Sequence, residues 1–252
     1  VDLVDLDLFK QYKICVIVPT YNNDKTLKRV LDGIFHFTNE LLVINDGSTD
    51  RTKEILAKYQ QLKVHHFNQN QGKGKALQKG FRWAKELGYD FAITIDSDGQ
   101  HYPDDLSVFT KRLNELKGED VLLIGNRNME QDGIPKKSSF GNRFSNFWFW
   151  FETGISLQDT QSGYRLYPLR KLPNHFFTNK FEFEIEVIVR LAWKNILVEN
   201  VPIKVLYDPT ERVSHFRPFR DFTRISILNT VLVSLTIVYI WPKKVFGRIF
   251  SK

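Results

Sequence analysis

Two carboxylates one residue apart, Asp96 and Asp98 in Ile95-Asp96-Ser97-Asp98-Gly99-Gln100, carry the strongest chemical signal in the chain. In an extended segment, side chains two apart point the same way, so both can face one cation. Their oxygens, with the amide of Gln100, form a hard donor set that suits Mg²⁺ or Mn²⁺ rather than zinc. A cation held there can bridge two phosphates and stabilise charge developing on a diphosphate leaving group. Asp96, Asp98 and Gln100 are therefore the candidate metal ligands. Three other polar clusters fit the same ligand. Pro19-Thr20-Tyr21-Asn22 offers a ring and an amide where a planar base could stack. Asp46 can accept a hydrogen bond from a base or a ribose. Gly72-Lys73-Gly74-Lys75, at a predicted helix start, offers backbone donors and a cation for phosphate. It lacks the spacing of a P-loop, which removes that class of ATPase. His65 and His66 have no carboxylate cluster around them, so zinc is not expected there.

These clusters need elements to hold them. Ile14 to Pro19, Leu41 to Asn45, Val64 to Phe67, Phe91 to Ile95 and Val121 to Ile124 read as short apolar strands. Helical patterns run between them from about Asp24 to Phe37, up to Tyr59 with Ser48 or Thr49 as cap, and from Gly72 to Leu87. Phe181 to Trp193 reads as a covering helix and Val201 to Leu206 as a late strand. Strand–helix alternation with apolar strands predicts an α/β fold, a mainly parallel sheet flanked by helices. Ligands of such sheets bind beyond the carboxyl ends of the strands. Thr20-Tyr21-Asn22, Asp46-Gly47-Ser48, Asp96-Ser97-Asp98 and Gly125-Asn126-Arg127 all fall at those ends.

Length and composition, at 252 residues and 42% hydrophobic, suit one core-forming domain and exclude wholesale disorder. The single cysteine, Cys15, lies inside the first apolar strand and reads as a core residue of a reducing compartment. Val1 to Lys10 alternates Asp with Leu and does not read as a signal peptide. The net charge of +7 is uneven: Lys204 to Lys252 holds nine Lys or Arg against three Asp or Glu. Within that segment Ile225 to Trp241 has no charge and is flanked by Arg220, Arg224, Lys243 and Lys244. Its length is at the lower edge of what spans a bilayer, about 17 to 25 residues. Basic flanks and terminal aromatics predict a helix lying at, or shallowly inserted into, a membrane interface, with a helix packed on the domain and a true span as the alternatives. The division expected is a catalytic domain over 1–216 and a membrane-associating segment over 217–252. Phe140 to Phe151 is dense in aromatics and suits core, or a surface facing a long apolar ligand.

The ordered set Val18-Pro19-Thr20-Tyr21-Asn22, Asn45-Asp46-Gly47-Ser48-Thr49-Asp50, Asn70-Gln71-Gly72-Lys73-Gly74, Asp96-Ser97-Asp98-Gly99-Gln100-His101, Gly125-Asn126-Arg127 and Asp159-Thr160-Gln161-Ser162-Gly163-Tyr164-Arg165 resembles glycosyltransferase family 2, with its GT-A fold. It looks closest to the branch of dolichol-phosphate mannose synthase and bacterial polyprenyl-phosphate glycosyltransferases. The resemblance implies that Pro19, Tyr21, Asn22, Asp46 and Lys75 line a nucleotide pocket. It puts Asp96 near ribose or sugar, and Asp98 with Gln100 on the metal. Arg127 and Arg143 would meet an acceptor phosphate, which a planar guanidinium suits. Asp159 would act as base or orienting group. Arg212 and Ser214 occupy a late basic segment, where the family often has Ser-Lys and this chain has Ser214-His215. Glu182, Glu184 and Glu186 read as the charged outer face of a helix, with Glu184 facing the sugar as the alternative.

The implied reaction is inverting transfer of a hexose from a UDP- or GDP-sugar to polyprenyl phosphate, with Mg²⁺ or Mn²⁺, on the cytoplasmic side of a membrane. An anionic phosphate oxygen as nucleophile removes the need for a strong base. The rivals are transfer to a saccharide hydroxyl and a catalytically silent lipid-binding module. Processive synthases carry Gln-x-x-Arg-Trp, which Gln161-Ser162-Gly163-Tyr164-Arg165 does not match. A sugar-1-phosphate nucleotidyltransferase needs a Gly-rich loop after the first strand, where this chain has Pro19-Thr20-Tyr21-Asn22. No nucleic-acid partner is expected, and an oligomer is possible.

Overall fold

The computed structural model describes residues 3–127, 136–206 and 218–243. Seven strands form one sheet: β1 Ile14–Thr20, β2 Leu41–Asn45, β3 Lys63–His66, β4 Phe91–Thr94, β5 Val121–Asn126, β6 Arg165–Pro168 and β7 Leu197–Pro202. Their order is β3-β2-β1-β4-β6-β5-β7. All neighbours are parallel except β6, which lies antiparallel between β4 and β5. The helices are α1 Leu3–Gln11, α2 Leu27–Phe35, α3 Thr52–Leu56, α4 Lys73–Glu86, α5 Leu106–Glu115, α6 Lys136–Thr153, α7 Phe183–Trp193 and α8 Pro218–Leu235. A π-helical turn, Thr236–Ile240, extends α8.

Side chains alternate across the sheet with period two. Val16 and Val18 of β1 join Leu31, Val43, Ile93 and Phe109 on one face, while Cys15 and Ile17 join Leu77, Phe81 and Ile188 on the other. Both faces are therefore covered, and the strands carry apolar residues on both sides, as a buried parallel sheet requires. The second face is dense in rings: Phe81 packs 4.8 Å from Tyr167, and Phe176 edges onto Phe183 at 4.8 Å.

Several elements differ from the sequence expectation. The late strand is Leu197–Pro202, four residues earlier than Val201 to Leu206. It pairs in parallel with β5 along its whole length, so long-range register outweighs the local Val-Leu pattern. The helix before β3 covers only Thr52–Leu56. Its first N–H is taken by the Asp50 carboxylate at 3.0 Å, because Ser48 instead accepts the N–H of Asn22 at 3.0 Å. The antiparallel β6 has no counterpart in the sequence reading. It returns from the carboxyl ends of its neighbours, which brings Gly163 and Arg165 beside the Asp96 loop.

Candidate active site

The ends of β1, β2 and β4 are tied together by short side chains. Ser97, between the two carboxylates, is 1% exposed and points inward. Its hydroxyl donates to the Pro19 carbonyl at 3.1 Å and accepts from Asn23 Nδ2 at 2.8 Å; its own carbonyl accepts from Thr26 Oγ1 at 2.6 Å. Asp98 closes a tight turn by accepting the Gln100 N–H at 3.0 Å, with Gly99 at φ +74°. Asn22, also at positive φ, accepts the Thr49 N–H at 2.8 Å and so locks the first loop to the second.

Asp46 is 3% exposed and accepts from Gln71 N at 2.7 Å, Gly72 N at 2.8 Å and Asn70 Nδ2 at 3.0 Å. Burial pushes its carboxyl above the usual range, against the pull of those N–H groups and of Lys180. The Gly72-Lys73-Gly74-Lys75 turn is accordingly held by protein acceptors: Lys75 donates its backbone N–H to Asn179 at 2.9 Å. The lysine of that turn that reaches the strand ends is Lys73, not Lys75. Its ammonium lies 2.8 and 3.0 Å from the two Asp96 oxygens and 3.0 Å from Glu184 Oε2. Burial presses the Lys73 pKa down, but Asp96 and Glu184 outweigh it and hold the amine charged. The same contact outweighs burial at Asp96 and holds that carboxyl below the ordinary value. Gly163 makes room for the pair, since a Cβ there would stand 2.6 Å from Asp96 Oδ2 and 2.7 Å from Lys73 Nζ.

The three glutamates at the start of α7, with Glu182 as its N-cap, are not a charged outer face. Glu182, Glu184 and Glu186 are 7%, 7% and 0% exposed. Glu184 joins Lys73, and Glu186 accepts the N–H groups of Phe177 and Thr178 and pairs with Arg190 at 2.6 Å. Their environment comes from the loop folded over the α7 start, which alternation with Phe and Ile does not reveal.

Arg127, at the end of β5, makes a forked pair with Asp159 through Nε at 2.7 Å and Nη2 at 3.1 Å. Asp159 is fully buried and also accepts from Gln161 N and Ser162 N. Arg165 is buried completely, with its guanidinium on the carbonyls of Thr160, Ser162 and Glu184. It thus joins the 159–163 loop to α7. His101 is buried with its ring tilted against Tyr164 at 5.3 Å, and both ring nitrogens lack a hydrogen-bond partner among the described residues. Burial pulls its pKa down to about 4, so the imidazole is neutral near pH 7. Arg143 is exposed on α6. Arg212 and Ser214 lie outside the described residues.

Among the described residues no three His, Cys, Asp or Glu side chains form a ready-made cation cage. The donor chemistry nevertheless fits Mg²⁺ or Mn²⁺ completed by phosphate oxygens, the way Mg²⁺ is held by one or two carboxylates plus substrate. Asp96 is engaged by Lys73, and Asp98 and Gln100 share the turn that follows it.

Residues 15–176, well over half the chain, match the family model described as "Glycosyl transferase family 2". The chain belongs to this family. Among relatives, a UDP-N-acetylglucosamine–dolichyl-phosphate N-acetylglucosaminyltransferase of Methanococcus voltae is 30% identical over 220 residues, covering 77% of this chain and 86% of that one. A polyprenol monophosphomannose synthase of Mycolicibacterium smegmatis is 29% identical and covers 75% of each chain. Among solved structures, glucosyl-3-phosphoglycerate synthase from Mycobacterium tuberculosis, in complex with Mn²⁺, uridine diphosphate and phosphoglyceric acid, superposes with a TM-score of 0.66. It is 20% identical and covers 94% of this chain and 81% of its own, a likeness of fold. This family 2 glycosyltransferase thus has the GT-A arrangement, with the Asp96 loop at the carboxyl edge of its sheet.

Proposed function

We propose that this glycosyltransferase moves a hexose from a UDP- or GDP-sugar to polyprenyl phosphate at the cytoplasmic surface of a membrane. One observation carries the reading: the Asp96–Gln100 loop and the Arg127–Asp159 pair stand at one sheet edge, in a chain whose last helix leaves its apolar side uncovered. Relatives named for dolichyl and polyprenyl acceptors support it. Phe219–Lys243 is long and apolar enough to cross a membrane, and only 22% of an apolar 18-residue stretch within it is buried. An apolar cavity of about 490 Å³ between α7 and α8 gives isoprene units a place beside the domain.

In this reading Tyr21, Asn22 and Asp46 receive the nucleoside, and Asp98 with Gln100 hold the cation. The cation, when bound, supplies charge stabilisation for the departing diphosphate. Lys73 fixes the Asp96 carboxylate beside the sugar position, and Glu184 fixes Lys73 from the other side. The acceptor oxygen attacks the anomeric carbon as the bond to the diphosphate breaks on the opposite face. Arg127 and Arg143 draw the acceptor phosphate in. Asp159 acts as the orienting group for Arg127, because both its oxygens already accept protein hydrogen bonds.

The test is an incubation with Mn²⁺, polyprenyl phosphate and a panel of labelled nucleotide sugars. Label should enter the organic phase with one of them. Label found only on a soluble saccharide acceptor would overturn the lipid assignment. Asp98→Ala should reduce turnover at least about 100-fold, the scale of losing a principal electrostatic stabiliser; full activity in that variant would displace the cation from Asp98.

A further inference from the structure

Lys180 lies in the loop before α7, outside every motif of the sequence. Its side chain crosses Gly72: a Cβ there would fall 2.8 Å from Lys180 Cε and 2.7 Å from Nζ. Gly72 is also the residue whose N–H binds Asp46, and it precedes Lys73, whose ammonium binds Asp96. The Lys180 ammonium therefore stands between the Asp46 end and the Asp96 end of the sheet edge, close enough to Asp46 to favour its charged form. Unlike Lys73, Lys180 forms no ion pair with a carboxylate among the described residues.

The loop that carries Lys180 is built, not draped. Fully buried Glu186 accepts the backbone N–H groups of Phe177 and Thr178 and the Thr178 hydroxyl at 2.6 Å. Gln78 Nε2 donates to the Thr178 carbonyl at 2.8 Å, and Asn179 accepts the Lys75 N–H at 2.9 Å. Gly74 lets the backbone of Asn179 and Lys180 approach α4, since a Cβ there would meet the Lys180 carbonyl at 2.6 Å. A lysine serving only solubility has no need of such anchoring.

Charge points to the ligand. Asp46, Asp96 and Asp98 line the strand ends, and the Lys73 ammonium already has Asp96 and Glu184 around it. A nucleoside diphosphate entering between Asp46 and Asp98 adds at least two negative charges to those of the carboxylates, more than the one divalent cation proposed at Asp98 offsets, so a further positive charge is called for. We infer that Lys180 binds the diphosphate of the nucleotide, its ammonium donating to a phosphate oxygen across Gly72. This rests on the nucleotide-sugar reading above and assigns a phosphate contact from outside the family motifs.

The experiment is calorimetric titration of the full chain with UDP, GDP, uridine and guanosine in the presence of Mn²⁺, for the native protein and for Lys180→Ala, Lys180→Met and Lys180→Arg. The native chain should bind one diphosphate. Its Kd should rise about tenfold or more in Lys180→Ala and Lys180→Met, the scale of one charge-assisted hydrogen bond. The matching nucleoside should bind equally well to all four proteins, and Lys180→Arg should recover most of the diphosphate affinity. Equal losses for nucleoside and diphosphate would make Lys180 a prop for the loop and overturn the inference. So would unchanged diphosphate binding in Lys180→Ala, which leaves the donor reading intact. A native chain that binds neither UDP nor GDP would overturn the donor reading itself, and the inference with it.

Discussion

Glu152, in the last turn of α6, is 1% exposed, and neither carboxylate oxygen has a hydrogen-bond partner among the described residues. Its carbonyl receives Trp193 Nε1 at 2.9 Å, but the side chain faces the seam of α6, α7 and the end of α8 without a cation. Burial pushes its pKa up from 4.5 to about 8. A carboxyl raised on folding stabilises fully below its unfolded value, and that advantage drains away as pH climbs through the folded one. Native stability should therefore fall between pH 5 and 8, by roughly 3 kcal/mol at pH 7. Glu152→Gln should flatten that slope in urea titrations at the two pH values; parallel slopes would sink the assignment. At this scale the sequence exposes position unevenly. The place of Asp96, Asp98 and Gln100 just beyond β4 is legible because an apolar run followed by a polar turn is a local pattern. Lys73 and Lys75 flank the same glycine, and nothing local tells which one turns inward. Glu184 and Lys180 depend on a loop that folds back over Gly72 and Gly74, a contact across about a hundred residues of chain that no local pattern encodes.

The elements show where local signals suffice. Apolar β-branched runs mark β1, β2 and β4, and the polar residue after each defines the edge where the site forms. Short β6 and displaced β7 escape because their places are set by partners: Thr94 faces Arg165, and Val121 faces Leu197. The glycines of the Gly-Lys-Gly turn, read from sequence as a phosphate loop, chiefly admit the 179–183 segment. A Cβ on Gly74 would stand 2.6 Å from the Lys180 carbonyl and 2.7 Å from the Asn179 carbonyl carbon, backbone atoms that cannot swing aside. Gly74→Ala should cost about 1 to 3 kcal/mol through overpacking and should weaken nucleotide binding as well. Gly141→Ala is the control. A Cβ there meets nothing closer than 3.8 Å on a helix, so it should be neutral or stabilising by about 0.5 to 1 kcal/mol. Equal unfolding midpoints for the two variants would refute the packing account.

At the scale of the whole molecule, α6 and α8 form one apolar platform. Phe144 meets Phe222 at 6.0 Å and Phe151 meets Trp241 at 5.5 Å, while Phe147, Trp150, Phe219 and Val238 stand 52%, 51%, 92% and 76% exposed. Exposed apolar area of this kind, edged by Arg143, Arg220 and Lys243, matches a bilayer surface. Trp150→Glu combined with Val238→Asp should lower partitioning onto vesicles containing phosphatidylglycerol by about tenfold or more, from the loss of two buried apolar side chains. Nucleotide affinity should stay unchanged; undiminished sedimentation with the vesicles would assign the platform elsewhere. The position of β6 bears on how this molecule is made. During synthesis β1 to β4 can assemble as soon as they emerge, but the outer edge of β4 stays open until Arg165–Pro168 arrives. β5 reaches the sheet only through β6, so it waits as well. Over that interval the nascent chain displays an unpaired, mainly apolar strand edge, a feature prone to pairing with a neighbouring chain. The exposure of the β4 edge thus lasts for the roughly seventy residues of synthesis that separate β4 from β6.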